Sequence, residues 1–189
     1  MILRRRRIFF GGVVILVLVL LWSLISSVMS FFAGLAPKPE AGPTATQAVV
    51  QPCEPGMVQI IAGIGDSTQT PKAQFDSGEN PFLWFNMTNN SKVACTFDAG
   101  SLVSFYQIRS GDQLIWDSKQ CDRSQDVSAV GILSPGQSVN SPASTWMRVF
   151  SSITGCSTGQ KPVTAGGASY QLKAIVNGVE SNIVQFVLN

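Results

Sequence analysis

Residues 8–35 contain no charged position, and the centre of the run, Val13 through Leu21, is unbroken aliphatic. A helix of about 20 apolar residues crosses the roughly 30 Å hydrocarbon core of a bilayer, so this run predicts one transmembrane helix. It exceeds the apolar core of about 7 to 15 residues that marks a cleaved signal peptide. Pro37 also stands directly after the small residues where a peptidase would cut. The run therefore reads as a retained signal anchor. Beyond it the pattern changes. Residues 36–52 place Pro37, Pro39, Pro43 and Pro52 among Ala, Thr, Gly and Gln without apolar periodicity, which predicts an extended, partly stiff linker. From Cys53 onward, short stretches of alternating apolar and polar residues are separated by Gly, Pro, Asn and Ser, and helical periodicity is absent. Strands are predicted at 58–64, 81–88, 102–109, 113–117, 137–149, 169–176 and 182–188. Short strands at regular spacing with turn signals between them point to an all-β sandwich or barrel. Asn177-Gly178 lies between two such stretches, and Asn-Gly is the preferred pair for a type I′ hairpin because both residues accept positive φ. Ser110-Gly111-Asp112 marks a second hairpin.

Charge fixes orientation. Four consecutive arginines, Arg4, Arg5, Arg6 and Arg7, precede the apolar run, and only Lys38 lies close to its far end. Cationic residues stay on the cytoplasmic side, where anionic lipid attracts them. Residues 1–7 are thus a cytoplasmic tail, and the C-terminal domain is extracytoplasmic. The formal net charge is +2, but from Cys53 onward eight Lys and Arg face ten Asp and Glu. Such a domain has no basic stripe with which to neutralise phosphates, so no nucleic-acid partner is expected.

All four cysteines, Cys53, Cys95, Cys121 and Cys156, follow the membrane run. An even count outside the cytoplasm reads as a disulfide framework, and four cysteines allow three pairings. The pairing favoured here is Cys53 with Cys95, which pins the entry of the first strand, and Cys121 with Cys156, which ties two loops that each follow a tryptophan-bearing strand. A thiolate metal site is disfavoured, because the chain has no Cys-x-x-Cys and no His. No cofactor is implied.

Candidate catalytic patterns are weak on chemical grounds. Gly155-Cys156-Ser157-Thr158-Gly159 satisfies G-x-S-x-G, but a nucleophile elbow needs a strand-to-helix turn and a histidine. Asp112, Asp117, Asp122 and Asp126 are interleaved with Arg109, Lys119 and Arg123, a pattern that reads as solvated surface. Their spacing is not that of a calcium loop. The aromatics Phe82, Trp84, Phe97, Phe105, Trp116, Trp146, Tyr170 and Phe186 fall mostly on predicted strands, where large side chains fill the space between sheets. The expected chain is not an enzyme.

Several motifs carry a resemblance: Cys53-Glu54-Pro55-Gly56, Gly78-Glu79-Asn80-Pro81, Cys95 through Gly100, Trp116-Asp117-Ser118, Leu133-Ser134-Pro135-Gly136-Gln137, Thr145-Trp146 and Gly166 through Tyr170. Together they resemble poorly characterised actinobacterial membrane-anchored proteins with an immunoglobulin-like exported domain. The resemblance covers residues 53–189 and implies an Ig-like antiparallel β-sandwich. More distantly, Phe97, Ser110-Gly111, Trp116, Pro135-Gly136 and Trp146 are similar to the intracellular proteinase inhibitor (BsuPI-like) sandwich, which implies a protease-binding role. The resulting expectation is a non-catalytic single-pass cell-membrane protein. Its exported sandwich binds or scaffolds an envelope protein or wall component, with loops 118–130 and 157–167 as candidate contacts. The alternative is a proteinase inhibitor.

Overall fold

The computed structural model describes residues 50–157 and 159–189. The basic tail, the predicted anchor and the linker up to residue 49 lie outside the described residues. Among the described residues there is no α-helix, and no helix long and apolar enough to cross a membrane. The described residues form twelve strands: β1 Val58–Gly65, β2 Gln74–Phe75, β3 Phe82–Asn89, β4 Cys95–Asp98, β5 Ser104–Ser110, β6 Gln113–Asp117, β7 Val130–Leu133, β8 Ser138–Asn140, β9 Ser144–Thr145, β10 Ala168–Val176, β11 Val179–Glu180 and β12 Val184–Leu188. Two single 3₁₀ turns, Ser101–Val103 and Ser118–Gln120, flank β5 and β6.

The strands form two larger sheets and a two-stranded ribbon. The first sheet runs β1-β3-β8, with β9 continuing along the same side of β3. The second runs β2-β12-β10-β5-β6, with β11 beside β10, and β4 pairs β7 alone. All pairings between these strands are antiparallel except β2 with β12, and a parallel bridge joins Pro52 to Thr96 of β4. Alternation sets which face is buried. Val58, Ile60, Ala62 and Ile64 of β1 point inward, as do Tyr170, Leu172, Ala174 and Val176 of β10. These side chains share one core with Leu83, Phe85, Ile108, Phe186 and Leu188, so the two sheets pack as a sandwich-like pair. Trp146, fully buried, anchors the aromatic part of that core: its ring centroid lies 5.8 Å from Tyr170 and 5.9 Å from Phe186. Its Nε1 donates to the Val149 carbonyl at 3.1 Å.

Trp84 is buried although it points to the outer face of β3. Its register partner on β1 is Gly63, and a Cβ there would lie 2.2 Å from the indole Nε1. Only glycine leaves room for the ring to lie against the sheet.

The four cysteines are joined as Cys53–Cys95 and Cys121–Cys156. At Asn177-Gly178, φ is 46° and 81°, the positive pair a type I′ turn requires. Other boundaries differ from the sequence expectation. The predicted strand 137–149 is two short strands, because Ser141-Pro142 breaks the ladder: the Ser141 hydroxyl takes the Phe85 N–H at 2.9 Å, and Pro142 has no N–H to give. Residues 101–103 curl into a 3₁₀ turn before β5. The strands β2, β4, β7 and β11 add to those predicted.

Candidate functional site

Where β5 and β6 meet the β8–β9 connection, the sandwich opens into a cleft of about 670 Å³. Phe85 of β3, Tyr106 of β5 and Trp116 of β6 line its apolar part, beside the Cys121–Cys156 disulfide. Ser141 and Pro142 line the cleft, as do residues 99–101 with Asp122, Arg123, Asp126, Val127 and Ala129. The volume falls within the roughly 300 to 1,000 Å³ of typical small-ligand sites.

Each lining group is held by local bonding. Trp116 Nε1 donates to the Cys156 carbonyl at 2.8 Å, which ties β6 to the disulfide loop. The Tyr106 N–H donates to Ser118 Oγ at 2.9 Å. The Tyr106 hydroxyl lies 3.2 Å from Ser141 Oγ. Ser141 Oγ donates to the Pro142 carbonyl at 3.1 Å and accepts from the Phe85 N–H. With its single proton so committed, Ser141 receives the Tyr106 proton, and the phenolic oxygen keeps acceptor capacity toward the cleft. Burial pushes the Tyr106 hydroxyl up to about 12, opposed by the Ser141 bond. It remains a neutral phenol at physiological pH.

Two of the three rim charges compensate each other, and the Asp122 carboxylate instead accepts from the Ser124 N–H at 3.0 Å. Arg123 NH2 lies 2.7 Å from Asp126 Oδ2 and donates to the Ser101 carbonyl. The Asp126 contact is an ion pair without hydrogen-bond geometry, and no hydrogen-bond donor reaches that oxygen. The guanidinium centre sits 4.5 Å from the Phe105 ring, and Lys119 Nζ is 4.4 Å from the same ring. Phe105, expected in the core, is instead half-buried beneath two cations, an arrangement stabilised by the ring quadrupole.

The other residues singled out from sequence disperse. Asp122 and Asp126 line the cleft, whereas Asp112 is exposed on the β5–β6 turn. Asp117 is buried on β6 rather than solvated: its carboxylate accepts from Gln107 Nε2 at 2.9 Å and from the Lys119 N–H at 2.9 Å. Ser157 lines the cleft mouth in a turn, and no helix follows Gly159. Among the described residues no group of three or more His, Cys, Asp or Glu could hold a metal ion. Loop 118–130 forms much of the cleft wall, and loop 157–167 reaches it through Ser157. Phe85 and Tyr106, central to the cleft, carry no sequence signal beyond their apolar character.

No protein-family model matches this sequence, and no curated protein matches it significantly. Among solved structures, one similar chain is the Pseudomonas fluorescens alkylpurine DNA glycosylase AlkC bound to DNA containing an abasic site analog. The identity is 14% and the TM-score 0.38, over 70% of this chain and 30% of that one. Another is the sporulation control protein Spo0M from Bacillus subtilis, at 12% identity and a TM-score of 0.38, over 71% of this chain and 50% of that one. This chain thus spans 30% and 50% of the lengths of those two chains. Likeness at this level assigns neither a family nor an activity.

Proposed function

We propose that residues 53–189 are an Ig-like, non-catalytic binding module. In this reading it is held outside the cell membrane by the predicted anchor at 8–35, with Arg4 to Arg7 on the cytoplasmic side. The observation that carries the reading is the cleft: its floor is aromatic, its phenol is neutral, and the one cation on its rim, Arg123, is already paired with Asp126. Such a surface favours an apolar group of a partner over a charged small molecule. The occupant is an apolar side chain or short apolar segment of another envelope protein. In-cell crosslinking from loop 118–130, followed by mass spectrometry, tests this against a chain of residues 1–52. A loop-dependent protein partner supports the module; turnover of a substrate by the purified domain would overturn it.

A second reading, proteinase inhibition, is favoured by Ile153. It is 96% exposed at the tip of a tight turn closed by reciprocal bonds between Ser152 and Gly155. The neighbouring Cys156 ties that turn to Cys121. A rigidly held apolar anchor suits insertion into a partner's pocket. A panel of serine proteases with the Ile153→Asp variant as control tests it; no inhibition across the panel would remove it.

A further inference from the structure

The ribbon of β4 and β7 has one sealed edge and one open edge. On β4, the Thr96 N–H donates to the Gln51 carbonyl and the Cys53 N–H donates to the Thr96 carbonyl, each at 2.9 Å. Both backbone groups of Thr96 therefore point away from β7. Thr96 pairs with Ile132 and Asp98 with Val130, so these are the pairs without mutual hydrogen bonds. The Ala99 N–H bond to the Ala129 carbonyl, at 3.2 Å, fits the same alternation. It follows that the N–H and C=O of Val130 and of Ile132 all point outward from β7. Among the described residues none of these four groups has a hydrogen-bond partner.

This edge is also apolar. Val127, Val130 and Ile132 are 61%, 64% and 56% exposed, and Leu102, whose N–H bonds the Val127 carbonyl, is 51% exposed. These are four of the ten exposed large hydrophobic side chains among the described residues. Edge strands in native proteins are ordinarily blunted by charge, proline or a bulge. Residues 127–133 contain no charged residue and no proline.

We propose that the chain self-associates through this edge, two β7 strands pairing antiparallel about a two-fold axis at Gly131. This register sets each outward residue opposite an outward residue: Val130 faces Ile132 of the partner subunit, and Ile132 faces Val130 of the partner subunit. All eight free backbone groups are then satisfied across the seam, and the Val and Ile side chains meet on one face. Gly131 faces its own counterpart at a pair without hydrogen bonds, where Cα atoms lie about 4.5 Å apart. Nothing lies within 4 Å of the position a Gly131 Cβ would take, so the centre of the seam is unobstructed. Because the strand is uncharged, no like charges oppose one another across the axis, and an isologous contact of this kind closes at two copies. A foreign extended strand would satisfy the same backbone groups. The second copy is favoured because the strand's two outward residues are complementary to themselves in one register.

The test uses the full-length chain in membranes, carrying Gly131→Cys, with Ile61→Cys as a control at a comparably exposed site on β1. Two Cα atoms at this spacing fall within disulfide range. Mild oxidation is expected to give a dimer linked through the two introduced thiols at position 131, identified by peptide mapping, and Ile61→Cys is expected to remain monomeric. Adding Ile132→Lys to Gly131→Cys should abolish the dimer. Equal crosslinking of the two cysteine variants, or a dimer insensitive to Ile132→Lys, would overturn the proposal, as would a disulfide from position 131 to a different protein. Where Gly131→Cys misfolds, the mass of the full-length chain in detergent decides. It should be that of a dimer for the parent and that of a monomer for Ile132→Lys, and a monomeric parent would overturn self-pairing.

Discussion

Removing the Cys121–Cys156 bridge by Cys121→Ser with Cys156→Ser should cost the exported domain a large part of its stability. The bridge closes a segment of 35 residues. In the chain-entropy account, opening a loop of that size releases about 4 kcal/mol of unfolded-state entropy. Both cysteines also pack against the core, so the serines forfeit a little apolar burial as well. Domains of this kind are stable by roughly 5 to 15 kcal/mol, and a urea slope near 2 kcal/mol/M converts the loss to a midpoint about 2 M lower. The assay is urea unfolding of residues 37–189, followed by the fluorescence of Trp84, Trp116 and Trp146. The slope should rise with the loss of the cross-link, because the unfolded chain becomes less compact. Cys53→Ser with Cys95→Ser, which opens 42 residues, should cost a similar amount. Only the first variant should loosen the cleft, since Trp116 Nε1 bonds the Cys156 carbonyl. Hydrogen exchange of the Trp116 indole separates the two. A loss below about 1 kcal/mol from an oxidised parent would show that this bridge does not stabilise the fold by loop closure, which alone is worth more than that.

Three further outcomes are expected. Gly100→Ala should destabilise the domain by about 1 to 3 kcal/mol and speed amide exchange at 126–129. Its Cβ would lie 2.2 Å from the Val127 carbonyl oxygen and 2.4 Å from the Ala129 nitrogen, and unchanged exchange in that loop would contradict the clash. Trp146→Ala should cost about 3 to 5 kcal/mol in urea unfolding, since it empties the contact with Tyr170 and Phe186. Asp98 is held below the ordinary carboxylate range by bonds from Ser128 Oγ and from the Gly100 and Ala129 N–H groups. A depressed folded value means the contribution is present above the unfolded range and lost as pH falls through the folded value. The Gly100 and Ala129 amide shifts should therefore titrate together at acid pH, and Asp98→Asn should remove that step.

Much of the sheet framework is legible in residue alternation. The patterns over 58–64 and 169–176 are those of β1 and β10, whose inward residues are buried on every second position. Asn177-Gly178 is legible because its φ requirement is local. The short strands are not. β7 exposes three of its four residues and contains Gly131, so it carries no burial alternation to read, and β2 is held as a strand by a parallel pairing far along the chain. The place of Phe105 escapes the sequence because a strand aromatic on the outer face looks the same there as one on the inner face. Its covering cations, Lys119 and Arg123, arrive from a later loop. The cleft fails to show for the same reason: its lining spans residues 80 to 157 and exists only once the sheets are packed. Asp117 reads as solvated until Gln107 and the 3₁₀ turn bring donors to it.

The most direct measurement places a photoreactive residue at Met147, which lines the cleft and is 43% exposed, in the full-length protein in its own membrane. The control position is Ile183, 54% exposed and outside the cleft lining. One protein partner should crosslink from Met147 and not from Ile183, and it should be lost when Ser144→Trp fills the cleft. Equal capture from both positions, or capture that survives Ser144→Trp, would contradict it.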